Sequence, residues 1–478
     1  MVLVWRDKHQ VCQTGNAYPG YTLRGILKGV FAIGSEVPGK KPDLTCQHQR
    51  IRRMEEEGFD RACRFLNALV AAEQSYGVSS TEMESMLGRV AHALHIQGQF
   101  LATPTQVQSI LWDDDEDGQR LHISVARAGD FDLNKLAQIS ELVEHVVSGE
   151  ITPDIGLNRI RAIKRAGPEY GPAINAMAFV LCGLGFGVIL GIPWLDVLLG
   201  GALGIVSFGL TRLAMHSRGL KRTLEVLVAG TSALLATLLA HVLPVSNPLA
   251  VTVCACIFFV PGFGLTLGAG ELMKGNTLSG LIGLTGAAVI VLKLAIGVLI
   301  GTAIVHDLAP LLHGRVEPGV PHAWTWLAAP VLVLGLSILF RVRRKDLVWS
   351  LLGGVTVWLG VELGSGLGYW HGTFIGAFLL MFTSRVFALL SRLPPAIILL
   401  PAVMLLVPGV AALQVLYTTH SLGAIAGLQS TSHVFVLIAA ILGGLLCGET
   451  VWIINRAAIS TVTSRFSRIF RKNQDIKE

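Results

Sequence analysis

From about residue 173 almost to its end the chain is a succession of apolar runs separated by short polar turns. A helix needs roughly 20 such residues to cross the hydrocarbon of a bilayer. No water is available there to satisfy backbone groups, so only helices and closed barrels span it. Ten helical spans are predicted: about 173–191, 194–213, 223–243, 248–267 and 278–305, then 323–340, 347–364, 369–389, 396–416 and 432–455. A mean hydropathy of +0.59 with 15% charged residues fits a polytopic membrane protein, whereas a soluble chain of this length is far less apolar.

The polar stretch ahead of the spans is long enough for one soluble domain. Residues 1–50 read as a flexible tail, 51–170 as a cytoplasmic α+β domain, 171–306 and 323–456 as two membrane blocks of five spans, and 457–478 as a basic cytoplasmic tail. The opening residues lack the basic-then-apolar pattern of a signal peptide, so insertion relies on the internal spans. With the N-terminus inside, Arg212, Arg218, Lys221, Arg222, Lys274, Arg341, Arg343, Arg344, Lys345 and Arg392 all fall in cytoplasmic turns, and only Arg315 falls outside. Basic residues are retained on the cytoplasmic side, so both termini are expected there. The same distribution accounts for the net charge of +6 without nucleic acid as a partner. Cys12, Cys46 and Cys63 precede the spans and the other four cysteines lie within them, which gives no sign of a disulfide framework.

Five spans is an odd number, so the second block must face the opposite way from the first. Val260-Pro261-Gly262 late in the fourth span returns as Val407-Pro408-Gly409 late in the ninth, and LLGG at 198–201 returns at 351–354. The fold class expected is therefore an α-helical polytopic protein of two inverted five-helix repeats. Proline removes an amide donor and glycine loosens the backbone, so groups near each break lose their helical partners. Paired breaks in inverted halves point to a secondary transporter with its site at the repeat interface, formed by Pro261, Gly262, Pro408 and Gly409. A kink packed against neighbouring helices is the structural alternative.

Charge inside a span is costly and usually has a partner. Lys293 in the fifth span and Glu449 in the tenth lie at similar distances along their helices, and they are expected to meet near the pseudo-symmetry axis. Glu449 is then a proton-coupling carboxylate, or half of a static ion pair. Glu362, Arg385 and Asp196 sit nearer span ends, where structural roles are expected. Glu271, Lys274 and Asn276 follow the first break in a short cytoplasmic turn that is either a gate or a plain connection. Gly200 and Gly204 permit close helix contact, within one subunit or in a homo-oligomer.

In the polar half, helices are predicted at 55–76, 80–95, 131–148 and 152–166, and extended runs at 99–112 and 120–128. Thr152 and Pro153 form a cap and first-turn pair. GSEVPGKK at 34–41 resembles a phosphate loop but ends in Lys41, where Ser or Thr would hold magnesium. Asp113, Asp115, Asp117 and Gly118 open like a calcium loop, but Ser124 stands where the closing glutamate belongs. No metal, cofactor or catalytic constellation is expected, which leaves a membrane-anchored enzyme as the weaker alternative.

Several segments resemble the bacterial threonine/serine exporter family. They are YGVSSTEMESMLGRVAHALHI (76–96), TPTQVQSIL (103–111), FDLNKLAQISELVEHVVSGEITPDIGLNRIRAI (131–163), GIPWLD (191–196) and VPGFGLTLGAGELMKGNTLSGLIGL (260–284). In the last of these Glu271 stands where the family is expected to carry Asp. The resemblance implies proton-driven export of small hydroxy amino acids across the bacterial inner membrane. Relatives with split blocks are linked to dicarboxylate efflux, so succinate-like substrates are the alternative.

Overall fold

The computed structural model describes residues 44–76, 78–112, 119–125, 131–306, 318–368, 370–406 and 432–455. Its polar segment holds α1 (Leu44–Tyr76), α2 (Ser80–Ala93), β1 (Gln97–Ala102), β2 (Gln106–Trp112), β3 (Arg120–Val125), α3 (Leu133–Val147) and α4 (Pro153–Arg165). Helix α1 starts inside the stretch assigned to a tail. Its first turns, LTCQHQRIRRMEEE, carry Gln, Arg, Met and Glu, which favour helix without an apolar stripe to announce it. Further on, Phe65, Leu66, Leu69 and Val70 recur at helical spacing and are fully buried.

Ser79 caps α2 by accepting from the Glu82 amide at 3.3 Å, and Asp132 caps α3 by accepting from the Lys135 amide at 3.1 Å. Thr152 makes no side-chain cap, so α4 starts on its proline alone. The predicted run 99–112 is two strands. The Thr103 hydroxyl and amide both donate to the Gln106 carbonyl at 2.8 Å and fold the chain back beside Pro104. The sheet is antiparallel in the order β1-β2-β3, with Gln97 opposite Trp112 and Gln106 opposite Val125. Val107, Ser109 and Leu111 of β2 are buried, as the period of two requires.

The apolar part contains α5 (Pro172–Ile189), α6 (Trp194–Ala214), α7 (Arg218–Val242), α8 (Pro248–Cys256), α9 (Gly262–Met273), α10 (Thr277–His306), α11 (Thr325–Leu339), α12 (Leu347–Ser365), α13 (His371–Ser391), α14 (Ala396–Val403) and α15 (Ser432–Asn455). Among the described residues eight helices are long and apolar enough to cross a membrane. The α8–α9 pair, bent by 58°, makes a ninth if it is one span. Helix α14 opens the predicted ninth span; the part of that span from residue 407 on, with Pro408 and Gly409, lies outside the described residues. Arg218, Lys221 and Arg222, expected in a turn, are the first residues of α7, because Lys and Arg sustain a helix as well as most residues do.

Small residues let these helices approach closely. A Cβ on Gly185 of α5 would lie 2.9 Å from the Ala328 carbonyl oxygen and 2.8 Å from the Leu332 nitrogen of α11. A Cβ on Gly335 of α11 would lie 2.9 Å from the Ala178 oxygen and 3.1 Å from the Cys182 nitrogen of α5. The contact is reciprocal, each glycine meeting the residues seven and three positions before the other. Both helices end in a left-handed residue, Gly191 (φ 66°) and Arg341 (φ 57°). Trp194 and Trp324 stack edge to face with centroids 5.4 Å apart and stay partly exposed with Trp326, as interfacial tryptophans do.

Candidate functional site

The first break is real and locally satisfied. Helix α8 is capped by Asn247, gives way to a 3-10 turn over Ile257–Phe259, and stops at Val260, whose ψ of 120° is extended. Pro261, with no amide to offer, then leads into α9. Just before the change of pitch, the Ser207 hydroxyl of α6 donates to the Ala255 carbonyl at 2.8 Å. Phe258 and Phe259 pack on Phe179 with centroids 5.4 and 6.1 Å away, and Phe258 packs on Phe340 at 5.8 Å. One turn beyond the break, Thr266 is buried and its hydroxyl has no hydrogen-bond partner among the described residues. The same change occurs before the second Val-Pro-Gly: α14 gives way to a 3-10 turn over Met404–Leu406, immediately before Val407.

Most of the polar chemistry lies at the other end of α9. Glu271 falls within that helix and is 3% exposed. The following turn is only Lys274 to Asn276, closed by Gly275 at φ 88°. The Asn276 amide nitrogen donates to Glu271 at 2.9 Å and to the Thr81 hydroxyl at 3.1 Å, while Thr81 donates to Glu271 at 3.3 Å. Ser80 meets Ser279 of α10 at 2.8 Å. The first turn of α2 therefore sits on the α9–α10 hairpin, with the positive end of its helix dipole toward a buried carboxylate. A close glycine contact holds the hairpin shut, since a Cβ on Gly280 would lie 2.6 Å from the Gly268 oxygen.

Lys293 and Glu449 do not form the expected pair. Lys293 donates to the Arg222 carbonyl at 2.9 Å and meets Glu225 of α7 at 3.4 Å. Glu449 of α15 accepts two bonds of 2.6 Å from the Nε and Nη2 of Arg385 on α13, a fork that fixes both side chains. Distance along a helix gave each charge a depth but not the direction in which it faces, and each found a carboxylate or guanidinium on a nearer helix. Lys293 thus pairs back to α7 and Glu449 back to α13. Matched depth was a usable signal for Arg385, which lies six residues before the end of α13 as Glu449 does before the end of α15.

The next residue of α2 is Glu82. It is half-buried, and Arg385 and Lys274 attract it while Glu449 repels it. Burial outweighs these attractions and raises its acid above the usual carboxylate range. The polar segment thus brings Thr81 against Glu271 and Asn276, and Glu82 within electrostatic reach of Lys274, Arg385 and Glu449. Sequence reading grouped Glu271, Lys274 and Asn276 in one turn but left Arg385 and Glu449 apart from it, and it singled out neither Thr81 nor Glu82.

A second junction lies at the start of α12. The amides of Leu133 and Asn134, in the first turn of α3, donate to the carbonyls of Phe340 and Arg341 at 3.0 and 2.9 Å. Arg341 pairs with buried Asp132 at 3.2 Å, and Arg343 bridges Glu141 at 2.9 Å and Asp346 at 2.8 Å. The Tyr170 hydroxyl donates to the Val342 carbonyl at 2.6 Å. Asp196 and Glu362 stay structural. Asp196 accepts from the amides of Ser246 and Asn247 at 3.1 and 2.9 Å, and Glu362 lies 3.4 Å from His322.

Comparison with known proteins fits this arrangement. A family model for a threonine/serine exporter matches residues 72–305, and a second, described as Threonine/Serine exporter, ThrE, matches residues 325–451. An uncharacterised protein of Schizosaccharomyces pombe is 22% identical over 400 residues, covering 79% of this chain and 46% of the relative. The chain thus spans less than half the length of that curated relative. No solved structure matches. The two models take in the polar segment from the end of α1, the broken helix and both groups of spans, so this multi-pass membrane protein belongs to the threonine/serine exporter family.

Proposed function

We propose that the protein is a proton-coupled exporter of threonine, serine or similar small hydroxy amino acids. Ten spans form two blocks of five related by inversion, with both termini and the polar segment on the cytoplasmic side of the membrane. Three correspondences support inversion: the reciprocal α5–α11 contact, the left-handed ends at Gly191 and Arg341, and the 3-10 turns that precede Val260 and Val407. The observation that carries the transporter reading is the broken fourth span, which leads directly into a hairpin locked by buried Glu271.

Charge supports an amino acid over a dicarboxylate. Lys293 and Arg385, the cations facing other spans, are already matched by Glu225 and Glu449. A zwitterion brings one charge of each sign and needs no surplus cation, whereas a dianion does. Glu449 is the carboxylate we assign to the proton, and Glu271, Lys274 and Asn276 form the cytoplasmic gate.

Cells expressing the protein and loaded with a threonine dipeptide should accumulate less internal threonine and release more of it, in parallel with serine and not with succinate. Unchanged threonine and serine efflux would overturn the assignment. Replacing Pro261 and Gly262 together with alanine should straighten the fourth span and abolish efflux while insertion persists, as measured by membrane fractionation.

A further inference from the structure

A hydroxyl inside a membrane helix ordinarily bonds back to a carbonyl of the preceding turn. This chain follows the habit: Thr237 donates to the Ala233 carbonyl at 2.8 Å, Thr252 to Pro248 at 2.8 Å and Ser337 to Val333 at 2.6 Å. Others find a hydroxyl across a contact, as Ser350 does on Ser337 and Ser279 on Ser80. Among the described residues of the spans, only Ser232 and Thr266 are buried serines or threonines whose hydroxyl has no partner. Ser232 belongs to α7, whereas Thr266 follows the break, in the second turn of α9. Gly262 and Gly270 stand four residues before and after Thr266, so the three share one face of the helix. Gly270 shows where that face points, because a Cβ there would lie 3.7 Å from Leu442 of α15, in the second group of spans. Gly264 and Gly268, on the opposite face, meet Ala287 and Leu284 of α10 instead. Thr266 thus offers an unused hydroxyl on the face that α9 turns to the second group of spans, with no side chain one turn before or after it. Side chains lean toward the start of their helix, and here that is the break. There α9 begins on Pro261 without a side-chain cap, and a bare helix start attracts a carboxylate.

We propose that Thr266 reads the side-chain hydroxyl of the transported amino acid and so sets the preference for hydroxy amino acids. The inference deepens the exporter reading above and rests on it. The substrate's carboxylate sits at the start of α9, and its side-chain hydroxyl meets the Thr266 hydroxyl one turn further along, in the room that Gly262 and Gly270 leave. A hydroxyl both donates and accepts, so the bond forms with either partner as donor. A buried hydroxyl left unpaired is costly, and a substrate that pairs it is favoured over one of the same shape that does not. Valine matches the shape of threonine, and alanine lacks only the oxygen of serine. Both leave Thr266 as it is in the empty protein.

The test uses the full chain in proteoliposomes, with labelled threonine counterflow challenged by unlabelled threonine, serine, valine and alanine. Wild-type protein that moves no threonine sinks the exporter reading itself. Threonine movement that valine inhibits as well as threonine does sinks only the present proposal. With both hurdles passed, Thr266→Val, which keeps the volume and removes the oxygen, should lower the preference for threonine over valine by roughly tenfold. Thr266→Ser should keep that preference. An unchanged preference in Thr266→Val overturns the proposal. Where transport by a variant is too slow to follow, the rise in unfolding midpoint on adding threonine or valine in detergent gives the same ratio. The empty protein supplies a further check, because its Thr266 hydroxyl has no bond to lose: Thr266→Val should unfold no earlier than wild type. Earlier unfolding would mean that the hydroxyl already serves the fold, and that too overturns the proposal.

Discussion

Glu73 shows how the surroundings of a single side chain set its chemistry. Burial, with the nearby charge of Glu82 adding to it, pushes its acid from 4.5 up to about 8, and Arg89 pulls only weakly the other way. An acid raised in the folded state holds its proton more tightly there than in the unfolded chain. The native state is therefore unpenalised below pH 4.5 and loses stability as pH rises through about 8. The loss should reach a few kcal/mol, since each tenfold gain in proton affinity is worth about 1.4 kcal/mol. Thermal unfolding in detergent at a series of pH values checks this: Glu73→Gln should flatten the slope across that window and raise the midpoint at pH 8. Arg341 makes the complementary case. Its left-handed backbone costs roughly 1–2 kcal/mol for a residue with a Cβ. The Asn134 amide on its carbonyl and Asp132 on its guanidinium offset that cost, so the strained residue is also the one that the polar segment grips.

Helices α5 and α11 are held together by absence of side chain. A leucine in place of Gly335 has nowhere to go, because even its Cβ would come within 2.7 Å of the Cys182 sulfur. Gly335→Leu should cost about 1–3 kcal/mol or prevent the blocks from joining, and Gly185→Leu should do the same from the other side. Size-exclusion profiles and limited proteolysis of the two variants would register the effect; native behaviour in both would refute the contact. Elements of this kind were largely legible in the sequence. Apolar runs gave the spans, helical spacing gave α2 to α4, and the Val-Pro-Gly break gave the bend between α8 and α9. What escaped were facts that a one-dimensional pattern does not contain. Helix α1 extends back to Leu44 and α7 back to Arg218, because polar and basic residues continue a helix without any change of period. The partners of Lys293 and Glu449 depend on rotation about the helix axis, and the contact of Thr81 with Glu271 depends on a helix of the polar segment lying against a hairpin 190 residues away in the chain.

Taken whole, the molecule is tied together on one face. Helix α2 sits on the α9–α10 hairpin of the first group of spans, and α3 caps the carbonyls at the end of α11 in the second. Ser80 and Ser279 are placed for a direct test, since their hydroxyls are 2.8 Å apart. With cysteine at both positions, oxidation should join the segment to the hairpin and stop efflux, and reduction should restore it within the same preparation. Continued transport with the bond formed would mean that this contact never opens during the cycle. A body fastened to both groups of spans works as a calliper: if those groups move against each other during transport, its own shape must register how far apart they stand. Any ligand that grips α2 and α3 in one relative position would then read the state of the spans, and set it, without entering the membrane.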